Sequence, residues 1–267
     1  MKTLHELMTL KGRAALITGG AGHIGSAIAG GLAELGADIV ILDMDQSKAD
    51  ATAGSLRQEY GVRTFGIAAD LGQEAPLRQV PAQIEKELGR LDILIHAAAL
   101  VGTSNLKGWA VPFAQQSAET WDDALRVNLT SSFILSQACA DLLATSGKGS
   151  IINLSSIYGM VAPDLSLYAG TNLGNPAAYA ASKAGLLQLT KWLSTVLAPK
   201  VRVNAITPGG IWRGQAEAFV AAYTKKTPLA RMGTEEDLKG AAAYLASDLS
   251  AYVTGHNLVV DGGWTAW

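Results

Sequence analysis

Tyr179 and Lys183 stand four residues apart in Tyr179-Ala180-Ala181-Ser182-Lys183. On a helix, positions i and i+4 share a face, so a phenol and an ammonium can point into one cleft. A phenol titrating near pH ~10 is a poor base at neutrality. A neighbouring ammonium favours the phenolate, and a second positive charge would favour it further. Lowering the phenol to around 7 takes about 4 kcal/mol, at roughly 1.36 kcal/mol per unit. Two cations in a partly desolvated cleft can supply that. Ser155 and Ser156 follow the apolar run 150–154, and either hydroxyl can hold a substrate oxygen while the tyrosine exchanges its proton. This is proton chemistry at a carbon–oxygen bond, and it needs a partner for the hydride.

That partner is suggested by Thr18-Gly19-Gly20-Ala21-Gly22-His23-Ile24-Gly25. Glycines let a strand turn tightly into a helix and let a pyrophosphate reach the backbone. The helix then presents free N–H groups and its positive dipole end. Gly25 lets the helix approach the sheet. Asp43 closes the next apolar run, Val40-Ile41-Leu42-Asp43, 18 residues beyond Gly25. A carboxylate there accepts both ribose hydroxyls of an adenosine and repels a 2′-phosphate. The turn carries no Arg or Lys, so NAD(H) is expected over NADP(H), with Asp45 a rival for the role. Asp70-Leu71 comes next at the same sheet edge and is assigned to the adenine, a loop-capping Asp being the alternative.

The elements that must position these groups alternate along the chain. Apolar, β-branched runs at 13–18, 37–42, 62–68, 91–97, 150–154, 201–206 and 257–260 read as strands buried on both faces. Helical patterns lie between them: Ile24, Ile28 and Leu32 at i, i+4, i+8, then 121–143, 179–197 and 234–247, the last opened by Thr234 as N-cap. Strand and helix in alternation predict an α/β fold, a single doubly wound Rossmann domain over 1–267 with about seven parallel strands and helices on both faces. No repeat or linker divides the 267 residues. A net charge of −2 argues against nucleic-acid or anionic-membrane binding. The lone Cys139 excludes an intrachain disulfide. Glu6, and the lack of a long apolar core near it, read as no signal peptide, and no run approaches the ~20 residues of a membrane span. A cytoplasmic protein is expected. No set of His, Cys and carboxylates has zinc-like spacing, so no metal is expected.

Over nearly its whole length the chain resembles the short form of the short-chain dehydrogenase/reductase family. Tyr179-x-x-x-Lys183 is that family's most specific mark, and Asn153-Leu154-Ser155-Ser156-x-x-Gly159 resembles its serine segment. The resemblance gives the catalytic role to Ser156, three before the glycine. Asn128 takes the position of the family's helix asparagine, completing a tetrad and holding a water that passes protons toward Lys183. Pro208-Gly209 resembles the segment at the nicotinamide end, and the tail from Tyr252 to Trp264 resembles the family's ending. The cofactor contacts implied are Gly19, Gly22, His23, Ile24, Gly25, Asp43, Asp70, Leu71, Ala97, Ala98, Tyr179, Lys183, Pro208, Gly209 and Ile211. Two departures stand out. His23 replaces the middle glycine, and His96-Ala97-Ala98-Ala99 replaces the usual Asn-Asn-Ala-Gly. Both histidines read as ordinary hydrogen-bonded side chains.

Three long loops are set to surround the centre. Segment 160–178 carries Asp164, Tyr168, Thr171, Asn172 and Asn175; segment 100–120 carries Lys107, Trp109, Gln115 and Gln116; segment 210–231 carries Trp212 and Arg213. Converging polar groups suit a hydroxylated substrate. Trp212 could stack on a sugar face and Arg213 could pair with a carboxylate or phosphate; subunit contacts are the alternative. Leu186, Leu187, Leu189, Trp192, Leu193 and Leu197 make the Tyr179 helix apolar around much of its girth. In the family such a helix pairs with its copy, so a homotetramer is expected. The reading is an NAD(H)-dependent oxidoreductase interconverting a secondary alcohol and a ketone on a polar, sugar- or polyol-like molecule. A weaker resemblance points to gluconate 5-dehydrogenase-like and flagellin-glycan-associated sugar oxidoreductases. The alternatives are a 3-oxoacyl-carrier reductase and a non-enzymatic dinucleotide sensor or scaffold.

Overall fold

Each of the seven apolar runs holds a strand: β1 (Ala14–Thr18), β2 (Asp38–Asp43), β3 (Thr64–Ala68), β4 (Ile93–His96), β5 (Gly149–Leu154), β6 (Val201–Pro208) and β7 (Asn257–Val260). The computed structural model describes residues 1–267 except Thr103, Ala169, Asn172 and Leu173. All seven strands lie parallel in one sheet of order β3-β2-β1-β4-β5-β6-β7. Successive residues of β1 face opposite sides, as strand geometry requires. Ala15 and Ile17 join the core beneath α2 (His23–Glu34) and α9 (Glu236–Ala246), while Ala14 and Leu16 join the core beneath α4 (Glu74–Leu88) and α6 (Ser131–Thr145). Both faces are covered, which is why β1, β4 and β5 are buried at every position and are largely apolar, with the buried polar side chains Thr18, His96, Ser150 and Asn153 among them. The remaining helices are α1 (Leu4–Met8), α3 (Gln46–Tyr60), α5 (Ala118–Leu125), α7 (Ala177–Val196) and α8 (Glu217–Lys226).

The sequence pattern at 121–143 reads as one helix, and the structure divides it. Ser117 accepts the Thr120 N–H and starts α5 earlier, at Ala118. A π turn over Arg126–Thr130 then leads into α6 with helical backbone throughout. The wide turn carries Asn128. At α9 the capping roles are reversed. Thr234 donates from its backbone and its hydroxyl to the Asp237 carboxylate, so α9 begins at Glu236. Two 2.7 Å hydrogen bonds from Arg231 hold that carboxyl well below the usual range. Asp45 is the N-cap of α3, accepting from Ser47 and Lys48, which removes it as a rival to Asp43.

Order reverses between β1 and β4, where α/β sheets bind ligands beyond their carboxyl ends. His96 closes β4 there, buried, with Nε2 3.0 Å from the Ser136 hydroxyl. Burial pushes its pKa from 6.5 down to about 3, so the ring is neutral and structural. A ring that refuses its proton when folded costs stability wherever the unfolded chain accepts one. Stability should therefore fall as pH drops below about 6.5 and continue falling toward pH 3. By pH 5 the loss is about 2 kcal/mol relative to His96→Asn, at roughly 1.36 kcal/mol per unit. Urea unfolding of both proteins at pH 7.5 and pH 5 checks this; parallel behaviour of the two would contradict it.

Candidate active site

The glycine turn after β1 is shaped by contacts that leave no room for side chains. A Cβ on Gly19 would lie 2.8 Å from the Ala98 Cα, and one on Gly25 would lie 2.2 Å from the Gly19 carbonyl oxygen. Gly25 thus makes the turn itself possible, beyond helix–sheet approach. Gly22, the N-cap of α2, has no side chain with which to cap it, leaving the first N–H groups of the helix, at His23 and Ile24, for an external anion. His23 is exposed at this end. The Ala97 and Ala98 N–H groups donate to the Thr18 hydroxyl at 3.2 and 3.3 Å, tying the end of β4 to the turn. Asp43 accepts the Ala21 N–H at 3.2 Å and the Met44 N–H at 2.9 Å, so its carboxylate sits against the turn. This cradle, an uncapped helix end beside a carboxylate, fits a dinucleotide. Asp70 instead accepts the Gly72 N–H at 2.8 Å, a loop-capping role, and Leu71 packs on the α4–α6 core.

Beyond the turn opens a cleft of about 480 Å³. Ile24, Ala97, Tyr179, Lys183, Pro208, Gly209 and Ile211 line it, as do Ser155 and Ser156. The two serines have different tasks. Ser155 donates to the Lys183 carbonyl at 2.9 Å, fastening the serine turn to α7. Gly159 is needed for that approach, because a Cβ there would lie 2.7 Å from the Lys183 carbonyl carbon. Ser156 accepts the Tyr158 N–H at 3.2 Å, and its hydroxyl lies close enough to the Tyr179 phenol to oppose the rise of its pKa. Lys183, one turn along α7, is buried, with Nζ 5.8 Å from the centre of the Tyr179 ring and donating to the Leu154 carbonyl at 2.7 Å.

Burial raises the Tyr179 phenol above its ordinary value, against the opposing effects of Ser156 and the Arg213 charge. It also pulls Lys183 down to about 8. The chain's own charges therefore do not hold the phenol low. Asn128 is buried in the π turn. Its oxygen accepts the Leu100 N–H at 2.7 Å, and its nitrogen donates to the Leu100 carbonyl and the Ser182 hydroxyl at 3.0 and 3.1 Å. Ser182 in turn donates to the Tyr179 carbonyl at 2.8 Å, so Asn128 ties the loop after β4 to the helix carrying the tyrosine.

A family model described as enoyl-(acyl carrier protein) reductase matches residues 19–265. The 5-keto-D-gluconate 5-reductase of Escherichia coli (strain K12) is 32% identical, over 97% of this chain and 98% of its own length. The chain belongs to the short-chain dehydrogenase/reductase family. Two solved members are similar throughout. A gluconate 5-dehydrogenase from Burkholderia cenocepacia J2315, in complex with NADP and tartrate, superposes with a TM-score of 0.88 at 32% identity, covering 99% of this chain and 100% of the other. A short chain dehydrogenase from Leptospira borgpetersenii with bound NAD+ gives 0.84 at 35% identity, covering 99% and 96%.

In this short-chain dehydrogenase/reductase the three long loops contribute unequally. From 100–120 the cleft takes, among the described residues, Val101 and Gly102. Trp109 is buried against Ala124, Ala178 and Tyr179, with its indole N–H donating to the Val101 carbonyl at 2.7 Å. Lys107 and Gln115 are exposed, and Gln116 accepts the Ala177 N–H at the start of α7. From 160–178, Tyr168 and Asn175 line the cleft. Asp164 pairs with Lys226 of α8, Thr171 donates to the Tyr168 carbonyl, and Asn172 lies outside the described residues. Trp212 lies outside the cleft with its indole more than half exposed. Arg213 lines the cleft and donates from Nε to Glu235 at 3.1 Å.

The aromatic wall was not foreseen. Tyr158, Tyr168, Phe219, Tyr223 and Trp264 cluster from four separate segments. The Tyr168 hydroxyl donates to that of Tyr158 at 2.8 Å, and Tyr223 accepts the Gly210 N–H at 2.6 Å. Only the spacing of isolated aromatics signals this wall in the sequence, and spacing does not bring distant segments together. Among the described residues no group of three His, Cys, Asp or Glu side chains could hold a metal ion, and no helix is long and apolar enough to cross a membrane.

Proposed function

We propose that this protein is a cytoplasmic, NAD(H)-dependent enzyme interconverting a secondary alcohol and a ketone on a sugar- or polyol-like molecule. The observation that carries the reading is the Ser156–Tyr179–Lys183 group at the inner wall of a cleft that begins at the glycine turn. The dinucleotide, when bound, supplies the hydride donor or acceptor at its nicotinamide C4. Gly19, Gly22, His23, Ile24 and Gly25 would hold its pyrophosphate, Asp43 its adenosine ribose, and Pro208, Gly209 and Ile211 its nicotinamide end. Ser156 holds the substrate oxygen, Tyr179 exchanges its proton, and Lys183 binds ribose and favours the phenolate. Asn128 fixes the loop and α7 so that protons can be relayed toward Lys183. Val101 and Gly102, Tyr168 and Asn175, and Arg213 and Gln215 bring the three long loops to the same cleft.

Asp43 favours NAD(H), because a 2′-phosphate placed at a carboxylate is repelled. We expect NADH to bind at least ~10-fold more tightly than NADPH, with Asp43→Ala narrowing the gap. Fluorescence titration of both dinucleotides measures it; equal affinities in the wild type would overturn the NAD reading. Oxidation and reduction assays over a panel of polyols, aldonates and their ketones test the substrate class. The enoyl-(acyl carrier protein) reductase description of the family model favours one other reading, a carrier-linked acyl reductase. Such an enzyme needs free cations at the cleft mouth, where Arg213 is already paired with Glu235. Turnover of acyl thioesters in preference to polyols would establish it. Homotetramer formation is supported by Trp192 and Val196, one turn apart on α7, each more than half exposed.

A further inference from the structure

Among the described residues four buried side-chain polar atoms lack a hydrogen bond, and two of them are the nitrogen and oxygen of one carboxamide, Asn175. The others, Asn153 Oδ1 and Trp264 Nε1, sit on side chains outside the cleft lining, whereas Asn175 is part of it. A buried amide without partners costs about 1–3 kcal/mol. The Tyr168 hydroxyl donates to Tyr158 and lies beside the Asn175 carboxamide without a formed hydrogen bond to it. Neighbouring polar groups are likewise committed: Gln215 bonds the Arg213 N–H and the Ile211 carbonyl, and Tyr223 bonds Gly210. Among the described lining residues Asn175 is the one whose side-chain nitrogen and oxygen are both buried without a formed hydrogen bond.

Its place in the chain fixes where that pair acts. Pro176 is the N-cap of α7, and Tyr179 lies in the first turn of that helix. Asn175 therefore immediately precedes the cap of the helix that carries the reacting phenol, and both residues line the cleft. Phe219, Met232 and Ile157 cluster together and give the same cleft an apolar lining. A carboxamide accepts from one hydroxyl while donating to another oxygen. We propose that Asn175 is a specificity-determining residue that binds the hydroxyl on the carbon adjacent to the reacting one, so that the preferred substrate is a vicinal diol or the matching α-hydroxy ketone. This deepens the oxidoreductase reading and rests on it.

The test compares trans-cyclohexane-1,2-diol with cyclohexanol, which differ by the one hydroxyl, using the full-length enzyme with NAD+. The wild type should prefer the diol in kcat/KM by about 10–100-fold, the range of one buried hydrogen bond. Asn175→Ala should reduce the preference to within a few-fold, by slowing the diol and sparing the mono-ol. Asn175→Leu should do the same while raising the melting temperature of the free protein, because it removes an unsatisfied amide. A merely structural asparagine would give the opposite sign on stability. Equal turnover of the two alcohols by the wild type, or a preference that survives both substitutions, overturns the proposal and leaves the oxidoreductase reading intact. No turnover of any alcohol or ketone in the wider panel overturns both.

Discussion

Tyr179→Phe should lower kcat by about 10²–10⁴-fold, the span attributable to a positioned proton-transfer group, while dinucleotide affinity changes less than ~3-fold. The asymmetry follows from what the hydroxyl touches. It lies beside Ser156 inside the cleft and takes no part in the turn that would hold the pyrophosphate. Its ring packs with Trp109 and Ala178, and phenylalanine keeps that packing. Stability should therefore be nearly unchanged, which separates a chemical loss from a folding loss. Stopped-flow turnover together with NADH fluorescence titration reads both quantities. A parallel fall in binding and turnover would contradict the assignment of roles.

Gly25→Ala should have the opposite signature, weakening dinucleotide binding by roughly 100-fold through loss of the anion site at the start of α2. A methyl group 2.2 Å from the Gly19 carbonyl oxygen meets backbone, with no flexible side chain to yield. The turn must open, and overpacking of this kind costs about 1–3 kcal/mol of stability as well. Gly22→Ala is the internal control, since its Cβ would come no nearer than 3.2 Å to the same oxygen. Gly54→Ala, in α3 with nothing within 4 Å, should stabilise by about 0.5–1 kcal/mol. Calorimetric binding and thermal unfolding of the three variants order them; a Gly25→Ala protein that binds dinucleotide normally would show that the turn is looser than described.

Much of this frame can be read from short-range pattern. Strands buried on both faces advertise themselves as apolar runs, so all seven, and the parallel sheet they form, follow from the sequence. The glycine turn, Asp43 and the Tyr179–Lys183 pair are likewise local, each fixed by spacing within one or two elements. What escaped is what long-range packing decides. Nothing in Arg126–Thr130 distinguishes a π turn from ordinary helix until Leu100 and Ser182 arrive to bond Asn128. Trp109 reads as a loop residue of the mouth, yet a buried indole bonded to Val101 is a buttress beneath Tyr179. Ser155 and Ser156 are chemically equal and are told apart in sequence only by the family resemblance, and the approach of α7 gives Ser155 its separate task. Asn175 is one polar residue among several in its loop, and its unsatisfied carboxamide is visible only when its surroundings are in place.

Burial alone lifts the Tyr179 phenol, and the account requires that a bound oxidised nicotinamide, beside Lys183, bring it back toward neutrality. Ultraviolet difference titration of tyrosine ionisation in the NAD+-saturated wild type, set against NAD+-saturated Tyr179→Phe, measures this directly. The account predicts one phenol titrating within ~2 units of neutrality in the wild type, missing from the variant. A wild-type complex in which every tyrosine titrates at or above pH ~10 would contradict it.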